Sequence, residues 1–333
     1  MSTVSLGDMA RHLMLRRQTA AADRDLASLG ADLAKGTASD THRHLGGDLA
    51  PLASIEAGLA ANSAFRSAVD RGAFRAAAMQ TALDRVNRAA GDRTVDLLIT
   101  AQAGQTVGLA TVGARSRAAL EDVLAALNTR VEGTSLFSGT ATDATPLPDA
   151  DDLLGLVATV VAPATAPADI AAALDIWLAD PAGFAVQAYR GNGDVRQVPV
   201  APGQTIRLDA TAADPALRST LKGLLLGAMM ASPAFTSDPS AQRTLAQLAG
   251  ESLIAARDDR VALSARLGMV EERLSNAQTR QTAEASVLQQ ARSGLISIDG
   301  YTVATRLQET EARLDLIYTL TARLSRLSLA EYV

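Results

Sequence analysis

Residues 260–288, RVALSARLGMVEERLSNAQTRQTAEASVL, decide the fold. Leu263, Leu267, Val270, Leu274, Ala277, Gln281, Glu284 and Leu288 follow one another at alternating steps of four and three. That rhythm keeps a narrow stripe on one side of a helix, here apolar at first and polar toward its end. No proline follows Pro239, and only Gly250 and Gly268 interrupt 240–293. The spacing predicts one helix from Pro239 to about Ser293, which at about 1.5 Å per residue is roughly 80 Å long. An ordinary globular helix has about 12 residues, so the length predicts a rod.

Working outward, proline maps the rest. Ten of the eleven prolines lie between Pro146 and Pro239, and the other is Pro51. Proline removes a helical hydrogen bond and clashes with the preceding turn. Proline-free flanks around a proline-rich middle read as helical arms around an inserted unit. Leu15, Thr19, Ala22, Leu26, Leu29 and Leu33 repeat the four–three rhythm, as do Val303, Leu307, Thr310, Leu314, Ile317, Thr321 and Leu324, with Leu320 and Leu327 beside that seam. A helix starting near Pro51 is expected to run past Val86 to a break at Gly91-Asp92, and a second from about Thr94 to Glu132. Gly104, Gly108 and Gly113 in that second helix weaken it or allow close helix approach.

The predicted fold is mainly α: a long antiparallel helical, coiled-coil rod formed by both chain ends, with an inserted small α+β domain. Three domains are expected. Residues 1–45 and 295–333 form a terminal coiled coil, 46–140 and 232–294 a helical bundle core, and 141–231 the insert. Inside the insert, the alternation of 184–190, the turn at Gly191-Asn192-Gly193-Asp194, and the runs 195–200 and 205–208 predict a three-stranded β-meander. Short helices are expected at 167–178 and 214–230.

Composition excludes several functions. There is no cysteine, so disulfides, thiolate metal sites and cysteine nucleophiles are ruled out. The net charge is −5, and Lys35 and Lys222 are the only lysines among 31 basic residues. Acids are interleaved with these arginines, as in Arg257-Asp258-Asp259-Arg260, which leaves no basic patch for nucleic acid. Met1 to Asp8 lacks the charged start and apolar core of a signal peptide, and the apolar run 223–231 is too short to span a bilayer. His42 and His44 are two apart and share a face only on a strand; an exposed loop is the expected setting. Asp149-Ala150-Asp151-Asp152 suits a helix start, where negative charge meets the helix dipole. Neither a His-Glu-x-x-His nor a Gly-x-Ser-x-Gly element occurs. No catalytic constellation, metal site or cofactor is expected.

Some residues carry a family likeness. Ile298-Asp299-Gly300-Tyr301, Val303-Ala304 and the ending Leu327-Ser328-Leu329-Ala330-Glu331-Tyr332-Val333 resemble the C-terminal helix of flagellins. They are closer still to the hook–filament junction proteins, the third hook-associated family of the flagellin superfamily. Residues 260–274 resemble that family's long core helix. Leu127-Asn128, Gly133 and Leu136-Phe137-Ser138-Gly139-Thr140 are similar to the exit from its first core segment, and Tyr189-Arg190-Gly191 to its outer domain. The turn 35–44 departs from the family pattern and keeps only Gly36 and Asp40.

The resemblance implies an extracellular structural subunit of the bacterial flagellum at the hook–filament junction. Export would be through the flagellar channel without a cleaved signal. Implied partners are copies of itself in a ring, a neighbouring hook-associated protein, flagellin and an export chaperone, with no nucleic acid and no membrane insertion. Leu15, Leu26, Leu29, Leu33, Val303, Leu307, Leu314, Ile317, Leu320, Leu324, Leu327 and Leu329 would pack subunit against subunit. A filament flagellin is the alternative within the superfamily, and a cytoplasmic coiled-coil scaffold the alternative outside it.

Overall fold

Helix start signals and the two helical periods account for most of the architecture of the computed structural model. It describes the backbone of residues 6–102 and 108–330, and side chains for residues 10, 13–102 and 108–323. In chain order the elements are α1 (Leu6–Lys35), α2 (Thr41–His44), α3 (Ala50–Gln102), α4 (Leu109–Leu127), β1 (Arg130–Val131), β2 (Thr134–Ser135), α5 (Ala150–Val161), α6 (Pro167–Ala179), α7 (Phe184–Gln187), β3 (Arg196–Ala201), β4 (Gln204–Leu208), α8 (Pro215–Met229), α9 (Pro239–Ile296) and α10 (Gly300–Ala330). The protein is mainly α with a small α+β part. It divides into two compact units: residues 1–63 with 282–333, and residues 64–281.

The larger unit is built on α3 and α9, antiparallel within it. Asn87 Nδ2 donates to Ser264 Oγ at 3.3 Å and Gln278 Nε2 to Asp70 Oδ1 at 2.8 Å. The stripe found in the sequence is the buried one: Leu263, Leu267, Leu274 and Ala277 are at most 2% exposed. It is intrachain core. Helices α4 and α8 complete the bundle through small residues. A Cβ on Gly227 would lie 2.8 Å from Ser116 Oγ, and one on Gly223 2.6 Å from Leu253 Cγ, so the backbones approach more closely than side chains would allow.

Two expectations change. The break at Gly91-Asp92 does not occur, because α3 runs unbroken to Gln102. One helical glycine costs about 1 kcal/mol, and the fully buried Ala90 and Leu97 on either side outweigh it. The helix start moves to Leu109. The segment 184–190 is also not a strand: its first four residues form α7. Phe184 and Tyr189 are buried while Val186 is 72% exposed, a spacing that a strand cannot satisfy. Trp177 packs edge-on against Phe184 at 5.5 Å, and its indole N–H donates to Gln187 Oε1 at 2.9 Å. The meander is therefore the two-stranded hairpin β3–β4.

The remaining helix starts follow the sequence. Asp149 caps α5 by accepting from the Asp152 N–H at 2.8 Å, and Asp214 caps α8 from the Ala216 N–H at 3.0 Å. Pro167 and Pro215 sit in first turns, where no N–H is needed.

The stretches 136–140 and 189–191, read separately in the sequence, lock together in three dimensions through Tyr189 and the following Asn192. The buried Tyr189 hydroxyl donates toward the Phe137 carbonyl at 3.2 Å and the Asn192 carbonyl at 3.0 Å. Asn192 N–H donates to the Ser138 carbonyl at 3.1 Å. Asn192 Oδ1 accepts from the Thr140 N–H at 2.8 Å, and its Nδ2 donates to Thr140 Oγ1 at 2.7 Å. Gly139 sits at φ +69°, and a Cβ there would lie 2.5 Å from the Asn192 carbonyl oxygen. Only glycine fits. Burial pushes the Tyr189 phenol up to about 12, against a lowering hydrogen bond with Thr211.

Candidate assembly surface

The smaller unit contains α1 and α10, which pack against one another. Its turn is held by backbone chemistry. Gly36 closes α1 at φ +68°, and its N–H bonds the Asp32 carbonyl at 2.8 Å. Asp32 Oδ1 then accepts from the Ser39 N–H at 2.6 Å. Thr37 bridges Ser297, and the Ala38 N–H donates to the Ile296 carbonyl at 2.9 Å, which ties the turn after α1 to the junction between α9 and α10. Asp299 opens α10, accepting from the Tyr301 N–H at 3.1 Å and the Thr302 hydroxyl at 2.6 Å. The Thr302 hydrogen bond first, and then the Tyr301 N–H, lowers the carboxyl below its ordinary range. Both helices therefore start their pairing from a fixed register.

The pairing itself is thin. Val303, Leu314 and Ile317 of α10 are buried, while Leu15, Leu26, Leu29 and Leu307 are only half-buried. Ala22 is the one α1 residue whose described side chain is buried. Leu33 is 40% exposed and Leu320 46%. The side chains of Leu324, Leu327 and Leu329 lie outside the described residues. Nine of the twelve residues singled out in the sequence are thus placed, and the seam joins them without closing over them.

Four residues that the spacing did not select add to this surface. Leu13, Met14, Leu316 and Tyr318 are 54%, 67%, 64% and 54% exposed. A signal for α10 was available: 314–320 carries apolar residues on more faces than one seam can use, which marks a helix covered on several sides. Covering Leu13, Met14, Leu316, Tyr318 and Leu320 would contribute about 1 kcal/mol each, taking half of the full burial of such side chains.

The chemistry-bearing residues are dispersed. His42 and His44 are exposed on α2, a short helix capped by Asp40, where a two-residue spacing splays them. His12 lies outside the described side chains. Among the described residues no group of His, Asp or Glu is placed to hold a metal ion, and no helix is long and apolar enough to cross a membrane.

Comparison with known proteins adds a distant likeness. No protein-family model matches the chain, and neither does any curated protein. Among solved structures, the chain is similar to a Vibrio parahaemolyticus protein provisionally described as flagellar hook-associated. The identity is 18% and the TM-score 0.41, covering 71% of this chain and 94% of that one. A likeness of this degree carries no assignment.

Proposed function

We propose that this chain is a structural subunit of the bacterial flagellum that joins hook to filament by helical self-assembly and performs no catalysis. The supporting observation is the pairing of α1 with α10, whose seam leaves Leu13, Met14, Leu316, Tyr318 and Leu320 to water. A lone helix pair with so small a core is marginal against its ordering entropy, so neighbours are needed to complete it. The second support is the resemblance at 298–304 and 327–333 to the flagellin superfamily and its junction proteins. The Vibrio protein's description agrees with this reading and supplies none of it.

In this reading, 1–45 and 295–333 form the terminal coiled-coil domain, 46–140 and 232–294 the helical bundle core domain, and 141–231 the inserted outer domain. The partners are copies of the chain in a ring, an adjoining hook-associated protein, flagellin and an export chaperone. Its place is the extracellular hook–filament junction, reached without a cleaved signal.

The test pairs a point variant with a deletion. Leu316→Glu with Leu320→Asp removes apolar surface that the single chain does not bury. The variant chain should remain as stable as the wild type to within about 0.5 kcal/mol, yet fail to assemble. A deletion strain should keep hooks, lack filaments and leak flagellin into the medium. Normal motility in the double variant refutes the surface, and a deletion strain with no leaked filament protein points to a filament flagellin instead.

A further inference from the structure

The turn Gly191-Asn192-Gly193-Asp194 holds the one asparagine of this chain that precedes a glycine; Asn62, Asn87, Asn128 and Asn276 are each followed by a residue with a side chain. Glycine has no β-carbon to shield its backbone nitrogen, so that nitrogen lies open to attack the neighbouring carboxamide, the first step of spontaneous deamidation. We propose that Asn192 is a self-modification site, converted to aspartate and isoaspartate at a rate gated by the clamp of Thr140 on its carboxamide.

The nucleophile is free and the electrophile is held. Gly193 is exposed, a Cβ on it would meet nothing within 4 Å, and its N–H makes no hydrogen bond to any described residue. The Asn192 carboxamide is bound twice by one residue. Its Oδ1 accepts from the Thr140 N–H at 2.8 Å, and its Nδ2 donates to Thr140 Oγ1 at 2.7 Å. A backbone N–H can only donate, so this pairing fixes which side-chain atom is the oxygen. Closing a ring onto the Gly193 nitrogen makes Cγ tetrahedral and turns the carboxamide, which breaks the fit with Thr140. Once the clamp opens, hydroxide takes the Gly193 N–H proton and the nitrogen attacks Cγ. The Cγ–Nδ2 bond then breaks, and ammonia leaves with a proton from water. One water opens the resulting succinimide at either carbonyl. Each product alters the lock. In aspartate a carboxylate oxygen replaces Nδ2, which donated to Asp194 Oδ2 at 3.4 Å, so two negative charges face each other. In isoaspartate the chain runs through Cγ, and the carbonyl that accepts from the Tyr189 hydroxyl at 3.0 Å becomes a branching carboxylate. The modification therefore marks chains in which 137–140 and 189–192 have come apart.

The full chain and a free peptide of residues 187–198 are held in mild alkali. Digestion and mass spectrometry follow the mass gain and the isoaspartate at position 192. Each clamp bond biases the closed state about fivefold, so the folded chain should react roughly 25-fold slower than the peptide. Thr140→Val deletes Oγ1 and keeps the N–H, and should react about fivefold faster than the wild type. Thr140→Ser keeps the hydroxyl and should match the wild type. Gly193→Ala should slow peptide and chain alike, because its β-carbon crowds the attacking nitrogen. Equal rates in the wild type and Thr140→Val overturn the proposal, as does a folded wild type that reacts as fast as the peptide. Trp177 fluorescence shows whether each variant is folded. Should Thr140→Val fail to fold, the wild type in rising urea decides. Conversion at 192 that climbs with the Trp177 unfolding transition supports the gate; conversion indifferent to unfolding overturns it.

Discussion

Replacing Tyr189 by Phe should lower stability near neutrality and raise it in strong alkali, with the sign changing near pH 11. The hydroxyl bonds the carbonyls of Phe137 and Asn192 in a 6% exposed position. Phe137 O keeps the Ala212 N–H at 2.9 Å, so its removal leaves no bare acceptor there. Near pH 8, Tyr189→Phe therefore costs about 1 kcal/mol, the net worth of one hydrogen bond. The buried phenol is raised to about 12 from an ordinary value near 10. A group whose folded value is raised gives stability that is fully present below the unfolded value and lost as pH climbs through the folded one. With one tenfold step worth about 1.4 kcal/mol, the wild type has lost about 1.4 kcal/mol by pH 11, more than the hydroxyl supplied. The variant should then be the more stable by a few tenths of a kcal/mol.

Trp177, the single tryptophan, lies in the same unit and is 5% exposed, so its fluorescence in urea reports this transition. Every other titrating group is common to both proteins and cancels in the difference. A gap between the two proteins that stays constant from about pH 8 to pH 11 would refute the burial and bonding assigned to Tyr189.

Other outcomes follow from the same contacts. Asn128→Ala should cost about 2–4 kcal/mol by urea unfolding, because Asn128 pairs both backbone groups of the buried Leu147 at 2.9 Å. Gly139→Ala should cost about 3 kcal/mol while Gly133→Ala costs about 1. Both have positive φ, but only the first meets a backbone oxygen, so equal costs would count against the lock between 137–140 and 189–192. Arg260→Ala should cost about 3–4 kcal/mol, since this buried cation bonds Asn87 Oδ1 at 3.2 Å, Thr220 Oγ1 at 3.1 Å and the Leu253 carbonyl at 3.3 Å; differential calorimetry would measure it.

The parts legible in the sequence were those governed by local rules. Pro239 and the four–three stripe located α9, the acids at 149–152 marked the start of α5, and the short helix expected at 214–230 is α8. The misreadings came where packing overrode local preference. Gly91 in isolation looks like a stop, yet Ala90 and Leu97 hold the helix through it. Residues 184–190 alternate like a strand, but Phe184 is taken by Trp177 and Tyr189 by the Phe137 loop, and both contacts join residues distant in sequence or across a turn. The partnership of Asn192 with Thr140 is 52 residues long in sequence and carries no periodic signal. For the candidate surface, spacing found the seam of α10 and missed Leu316 and Tyr318, because a single-stripe pattern describes a helix with one neighbour.

Amide hydrogen exchange of α1 and α10, in dilute single chains and in assembled material, tests the central claim most directly. Residues 13–33 and 303–320 should exchange far faster than α4 and α8 in the single chain, and become protected on assembly as neighbours cover Leu13, Met14, Leu316, Tyr318 and Leu320. Equal protection of both helices in the dilute chain and in the assembly would contradict the account, since the pair would then need no neighbours.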